Sequence, residues 1–151
     1  MAFAGMSEFV EGFALELNQS GMQRMAARVF ATLLVSPEGG HTAKEIGEAL
    51  GVSPAAVSGA TAYLTRMGLA ERRRAPGERV DRYDIPGTAW AETMATETHL
   101  LRTLVGLLEG GLEHAPEDGA AQVRLADTRD FFEYMADEMP KLVERWHASR
   151  G

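Results

Sequence analysis

The chain has 151 residues, of which 45% are hydrophobic and 25% are charged, and its formal net charge is −7. These proportions are ordinary for a soluble protein of one domain, or of a small module with a helical extension. Cysteine is absent, which excludes disulfides and thiolate zinc sites. No apolar run is long enough to span a bilayer and no signal-peptide pattern is present, so we expect a cytoplasmic protein without membrane contact.

Two helices are predicted at the N-terminal end. The first covers about residues 7–18, where apolar residues around Phe13 form one face. Residues 19–21 interrupt the pattern. The second helix covers about residues 22–35 and carries two apolar stripes, so we expect it to be buried on two sides.

Residues 42–67 carry the signals of two short helices joined by a tight turn. Thr42 and Glu45 have the spacing of a capping box, in which each side chain satisfies a free backbone N–H at a helix start. Gly51 supplies the positive φ that ends the helix beginning after Thr42. Ser53 is placed to cap the second helix. The arrangement predicts a helix-turn-helix.

The second helix of this pair is the one expected to enter the major groove of DNA. Residues at helical spacing would face the core, and these are Val57, Ala60, Thr61 and Leu64. The opposite face carries small side chains, which let a helix approach base edges closely. The candidate base-contacting residues are Ser53, Ala55, Ala56, Ser58 and Gly59. Because its first turns contain no Arg, Asn or Gln, we expect DNA shape to contribute to readout.

An arginine-rich hairpin follows, with strands predicted at 70–74 and 80–85, which makes the motif a winged helix-turn-helix. Between Arg66 and Arg82 there are six arginines and three acids, a local balance of +3, so the remainder of the chain carries −10. A local basic stripe on an acidic protein is typical of a DNA-binding surface. The candidate phosphate contacts are Arg66, Arg72, Arg73 and Arg74, and Arg79 at the wing tip is the candidate for the minor groove.

Two alternatives to DNA binding are compatible with this pattern. The hairpin could be a solvated charged surface, although five arginines in eleven residues directly after a helix-turn-helix favour DNA. The motif could also be a protein–protein interaction module whose wing binds an acidic protein surface. An enzyme has no support, because the sequence shows no nucleophile–base pair and no glycine-rich phosphate loop. We therefore expect no catalytic residue, no cofactor and no metal.

Two long helices are predicted after the wing, at about 88–112 and 120–149, with a linker at 109–119. Pro140 is expected to kink the second or to start a new helix there. These helices and the N-terminal helix hold more apolar surface than one antiparallel pair can bury. We therefore expect a homodimer, although a monomer in which they fold back is the alternative. The predicted divisions are an N-terminal dimerisation helix at 1–20, a DNA-binding domain at 21–86 and a C-terminal helical dimerisation region at 87–151.

The segment from about residue 10 to 90 resembles the winged core of MarR-type transcriptional regulators, and more closely their GbsR-like branch. The matching residues are 21–24 through 34–37, 45–53, Val57, Ser58, Leu64, Gly68, Leu69, and the wing with Pro76 and Gly77. The predicted fold class is thus mostly α, with a small β-hairpin wing and flanking dimerisation helices. The resemblance implies a homodimeric regulator of transcription on double-stranded DNA, with repression and a response to a small molecule expected.

The resemblance also places an effector pocket between the dimerisation helices and the DNA-binding lobe. The candidate lining residues are Phe13, Phe30, Tyr63, Trp90 and Met94. Aromatic rings bind quaternary ammonium groups through cation–π contact, which suits a choline-type ligand. Aromatic residues at helical spacing are equally typical of a core. Zinc-sensing relatives raise the alternative of a histidine and carboxylate site, but the spacing of the four histidines predicts none.

Overall fold

The computed structural model describes residues 5–151. Within them the chain forms six helices and three short strands: α1 Ser7–Gln19, α2 Arg24–Leu34, β1 His41–Thr42, α3 Ala43–Leu50, α4 Pro54–Arg66, β2 Glu71–Arg73, β3 Arg82–Asp84, α5 Ala89–His114 and α6 Ala120–Arg150. The elements form two compact units, one that ends at Trp90 and one that covers Ala91–Gly151. The prediction of a mostly helical winged helix-turn-helix is confirmed.

Helix α2 is the centre of the first unit. Its buried side chains, among them Phe30, pack with Ile46 of α3 and Leu64 of α4. On its other side, small residues of α2 pack against Val10 and Ala14 of α1. Small side chains allow the two helices to approach closely. The prediction that this helix is buried on two sides is confirmed.

The local signals of the helix-turn-helix act as predicted. The Thr42 Oγ1 accepts a hydrogen bond from the Glu45 N–H at 3.1 Å, and the Glu45 Oε1 accepts one from the Thr42 N–H at 3.1 Å. Gly51 ends α3 with φ 68° and ψ 35°, the left-handed region that glycine favours. The Ser53 Oγ accepts from the Ala56 N–H at 3.3 Å, which caps α4. The predicted core face of α4 is buried.

The wing is part of a three-stranded antiparallel sheet of order β1-β3-β2, and its strands are shorter than predicted. Strand β1 was not predicted, because two residues are too few to show a period-2 pattern. His41 of β1 pairs with Tyr83 of β3. Gly40 makes this pairing feasible: its φ is +74°, and a Cβ there would overlap the carbonyl oxygen of Tyr83.

The second unit consists of α6 and all but the start of α5, connected by residues 115–119. The predicted linker at 109–119 was wrong in its first half, because α5 continues through Gly110 and Gly111 to His114. A Cβ at Gly111 would lie 3.6 Å from the Leu125 Cδ1, so the two helices are in close contact here. Packing of this kind outweighs the cost of glycine in a helix, which is about 1 kcal/mol.

Pro140 lies inside one continuous helix, so the prediction of a new helix at this residue was wrong. Proline has no N–H to donate to the carbonyl four residues earlier, which is that of Ala136. The Arg102 Nη2 of α5 donates to this carbonyl at 3.1 Å, and the Arg102 Nη1 donates to the Asp137 Oδ1 at 3.2 Å. Ala136 is fully buried. Arg102 therefore satisfies the acceptor that Pro140 leaves open.

We expect Arg102→Met to lower the free energy of unfolding by about 1–2 kcal/mol, because it leaves a buried carbonyl without a donor. In a Pro140→Ala background the cost should be much smaller, since the new N–H can donate to the Ala136 carbonyl. Urea unfolding of the two single variants and the double variant at one protein concentration measures this coupling. An equal cost of Arg102→Met in both backgrounds would contradict the assignment.

Candidate nucleic-acid interface

The exposed face of α4 has the shape that a base-reading helix needs. Of the five candidate base-contacting residues, Ser53, Ala55, Ser58 and Gly59 are exposed, and Ala56 is half-buried. A methyl group added at Gly59 would have no neighbour within 4 Å in the described part of the chain. Although its Oγ accepts the cap bond, Ser53 keeps a hydroxyl proton to donate. The face is therefore open, small and able to form hydrogen bonds.

The wing arginines are mostly paired with carboxylates of the wing itself. The Arg74 Nη2 lies 3.0 Å from the Asp81 Oδ1, and the Arg72 Nε lies 3.7 Å from the Asp81 Oδ2. Arg73 is paired with Glu71, whose hydrogen bond raises the arginine pKa. Arg72, Arg73 and Arg74 are therefore each paired with an acid that the +3 balance of the segment already counts. The net charge of the segment, read from the sequence, does not reveal which arginine each acid pairs with.

Three other wing-region arginines differ in their partners. The Arg82 Nε donates to the Glu78 Oε2 at 3.0 Å, and this hydrogen bond raises the pKa of Arg82. Arg66, at the end of α4, and Arg79, at the wing tip, form no ion pair with any residue between 5 and 151. Arg66 and Arg79 thus present uncompensated charge on the first unit.

Glu45 connects the start of α3 to the wing, a role that its place in the capping box did not indicate. Besides the capping bond with Thr42, its Oε1 lies 3.4 Å from the Arg82 Nη1 and its Oε2 lies 3.2 Å from the Nδ1 of the buried His41. The hydrogen bond from the Thr42 N–H is the main reason that the pKa of Glu45 is lowered from 4.5. Burial opposes this effect, and the His41 contact adds to it.

The lowered pKa predicts a pH-dependent contribution of Glu45 to stability. Ionised Glu45 stabilises the fold above its unfolded-state pKa, and the contribution disappears as the pH falls through its folded-state pKa. Glu45→Gln keeps the capping acceptor but removes the charge. Because the side chain is 42% exposed, solvent screens it, and we expect a cost of about 0.5–1 kcal/mol at pH 7 and almost none at pH 3. Urea unfolding at both pH values tests this, and an equal cost at both would contradict it.

The five candidate effector-binding residues do not all lie in one unit. Phe30 is buried in the first core, and its ring meets that of Trp90 edge-on, with centroids 5.7 Å apart. Phe13 and Tyr63 are half-buried and pack against the same core. Met94 lies in the second unit. An effector role for these residues stays a prediction, and the four aromatic residues contribute to packing.

In the second unit, Met94 lines a groove of about 490 Å³ between the start of α5 and the end of α6. The other lining residues are Ala91, Ala95, Thr98, Pro140, Val143, Glu144 and His147. Across residues 5–151, no three His, Asp or Glu side chains lie close enough together to hold a metal ion. None of the helices in that range combines the length and the apolar character needed to cross a membrane.

Comparisons with known proteins cover both units. Residues 20–79 match a model of the MarR family, and residues 88–149 match a model of MmpR5-like MarR family transcriptional regulators. A crystal structure described as a transcriptional regulator is 25% identical, with a TM-score of 0.84, and the similarity covers 93% of this chain and 97% of that one. The chain has no significant match among curated proteins.

Two further solved structures are less similar. A variant of ZitR from Lactococcus lactis is 24% identical over 78% of this chain and 75% of that one, with a TM-score of 0.40. The adhesin competence repressor AdcR from Streptococcus pyogenes is 17% identical over 90% of this chain and 96% of that one, with a TM-score of 0.42.

Proposed function

Because the chain belongs to the MarR family of winged-helix transcriptional regulators, we propose that it binds specific sites on double-stranded DNA as a homodimer and represses transcription. The family and fold are those of transcription regulators and not of enzymes. The observation that carries the proposal is the small, open face of α4, in the same compact unit as an arginine-rich wing.

Helix α4 is proposed to read bases in the major groove. Serine hydroxyls donate to or accept from base edges, and alanine methyls contact thymine methyls. Ser53, Ala55, Ala56, Ser58 and Gly59 are the proposed contacts. None of them carries a charge or a planar fork, so each contributes little discrimination alone. Sequence-dependent DNA shape is therefore proposed to supply part of the specificity.

The arginines near α4 and in the wing are proposed to contact the DNA backbone. Arg66 and the β2 arginines Arg72 and Arg73, with Arg74 directly after β2, would hold phosphates. Arg79 lies at the exposed wing tip, where it would enter a narrow A·T-rich minor groove. Phosphate contacts release counterions, so DNA affinity should fall steeply as salt rises.

The proposed homodimer rests on apolar surface that the single chain leaves exposed. In the second unit, large apolar side chains are exposed along both helices: Leu100, Leu107, Val123, Phe131, Tyr134, Leu142 and Trp146. Phe9 and Leu15 of α1 are exposed as well. Single exposed apolar residues are normal, but a series along two helices is typical of an interaction surface. A two-fold dimer would place two copies of α4 about one helical turn of DNA apart.

The resemblance of the motif residues to the GbsR-like branch supports a ligand-responsive repressor. Choline-type quaternary ammonium compounds are the first effectors to test, because aromatic rings bind such cations through cation–π contact. Calorimetry with choline and glycine betaine tests this part. The absence of binding heat from a folded protein would rule these compounds out and leave the proposal on DNA binding unaffected.

Fluorescence-anisotropy titration of the chain against its own upstream intergenic DNA tests the main proposal. It is done at two salt concentrations, with a scrambled duplex as competitor. We expect tight, salt-sensitive binding that survives the competitor. Weak binding that is equal for both duplexes would contradict specific binding to this DNA. It would favour a module whose wing binds an acidic protein surface.

A further inference from the structure

Asp81 lies between two arginines of the wing and is paired with both. Its Oδ1 accepts a hydrogen bond from the Arg74 Nε at 3.1 Å and lies 3.0 Å from the Arg74 Nη2. Its Oδ2 lies 3.7 Å from the Arg72 Nε. Within the described residues, no other carboxylate of the wing is paired with two of the proposed phosphate contacts.

The exposure of the three side chains is unequal. The side chains of Arg72 and Arg74 are 66% and 60% exposed, whereas that of Asp81 is 27% exposed. An approaching DNA backbone would therefore reach the arginines before the aspartate. The aspartate is the shielded partner, and it competes with phosphate for the same N–H donors.

We propose that Asp81 limits the DNA affinity of the wing by holding Arg72 and Arg74 in ion pairs that a phosphate must displace. The inference rests on the proposed function, since it concerns the strength of DNA binding. Exposed ion pairs are weak, so the two pairs do not prevent binding. Each nevertheless reduces the gain from one phosphate contact, because the arginine must give up its pairing with Asp81 to form it.

Asp81 should lower the affinity of the wing for DNA of any sequence. Non-specific binding depends almost entirely on phosphate contacts, so it is the state most sensitive to wing charge. Asp81 does not limit Arg66 and Arg79, because neither arginine has a carboxylate partner among residues 5–151. Asp81 would thus keep the chain from binding arbitrary DNA strongly while α4 contributes contacts at its own site.

Asp81→Asn tests the inference, because asparagine keeps an oxygen acceptor for Arg74 and removes the charge. We expect affinity for a random-sequence duplex to rise about three- to tenfold at low salt. The slope of log affinity against log salt should become steeper by up to about 2, since each phosphate contact contributes about 0.9. Asp81→Ser removes the same charge without adding an amide and should act in the same direction.

Asp84→Asn is the matched control. It removes an equal charge from β3, the strand that directly follows Asp81. The Asp84 Oδ1 accepts a hydrogen bond from the Ile85 N–H at 2.8 Å, and the side-chain oxygen of asparagine can accept the same bond. Besides the Glu71 hydrogen bond, which is the larger cause, the charge of Asp84 raises the pKa of Arg73. Asp84 forms no ion pair among residues 5–151, so we expect the effect of Asp84→Asn on DNA affinity to stay below about twofold. Thermal unfolding of every variant confirms that the fold is retained before the affinities are compared.

A second control uses a background in which Arg72 and Arg74 are both changed to glutamine. There, Asp81→Asn should change DNA affinity by less than about twofold, because neither arginine remains to be freed and only the screened effect of the lost charge is left. The inference is overturned if wild-type chain binds DNA but Asp81→Asn binds equally or more weakly, or if the gain persists in this background. A wild-type chain that binds no DNA at either salt would instead refute the proposed function, and the inference with it.

Discussion

Gly59→Glu is expected to abolish DNA binding while the chain stays folded. Gly59 lies in the middle of α4 on its exposed face, and a side chain there would project into open space. A carboxylate at this position would face the phosphates and base edges of the major groove. Like charges at an interface cost several kcal/mol, so we expect a loss of at least about 100-fold in affinity. Anisotropy titration measures the affinity, and circular dichroism measures the fold.

Gly59→Ala is the matched control for this variant. Replacing glycine by alanine inside a helix raises the free energy of unfolding by about 0.5–1 kcal/mol. Since alanine is small, DNA affinity should stay within about threefold of wild type. If Gly59→Glu binds DNA as tightly as wild type, α4 does not face the DNA and the proposed interface is wrong.

Gly40→Ala is expected to lower the free energy of unfolding by about 2–5 kcal/mol. The left-handed φ of Gly40 costs a residue with a Cβ about 1–2 kcal/mol. Overlap of that Cβ with the Tyr83 carbonyl adds about 1–3 kcal/mol. The variant should also disturb the pairing of β1 with β3, on which the position of the wing depends. Urea unfolding gives the stability change.

Gly39→Ala separates these two costs. Gly39 also has a left-handed φ, of +91°, but a Cβ there meets nothing within 4 Å among the described residues. We expect a loss of about 1–2 kcal/mol, which is the conformational cost alone. Equal losses for Gly39→Ala and Gly40→Ala would show that the close approach to Tyr83 is not a constraint in solution.

The sequence was sufficient wherever the signal was local. Thr42, Glu45, Gly51 and Ser53 each act within three or four residues of their own position, so spacing alone predicted the caps and the turn. The buried face of α4 followed from helical periodicity for the same reason. The candidate base-contacting residues lie at the start of α4 and on its opposite, outward face.

The sequence was insufficient wherever partners lie far apart in the chain. Strand β1 exists because His41 meets Tyr83, and no pattern in two residues reveals that contact. The double pairing of Asp81 depends on the register of the wing strands, which composition does not determine. Likewise, Pro140 was expected to kink α6 or to start a new helix, but α6 continues through it, and Arg102, on another helix, satisfies the carbonyl that proline leaves open.

Selection of binding sites from random double-stranded DNA tests the central claim most directly, because the operator sequence need not be known in advance. The full chain is used, with Gly59→Glu as the parallel control. We expect wild-type chain to enrich an inverted repeat whose half-site centres lie about 10 base pairs, or a multiple of that, apart. Gly59→Glu should enrich no sequence. A folded wild-type chain that enriches no sequence would contradict specific DNA recognition by α4 and the wing.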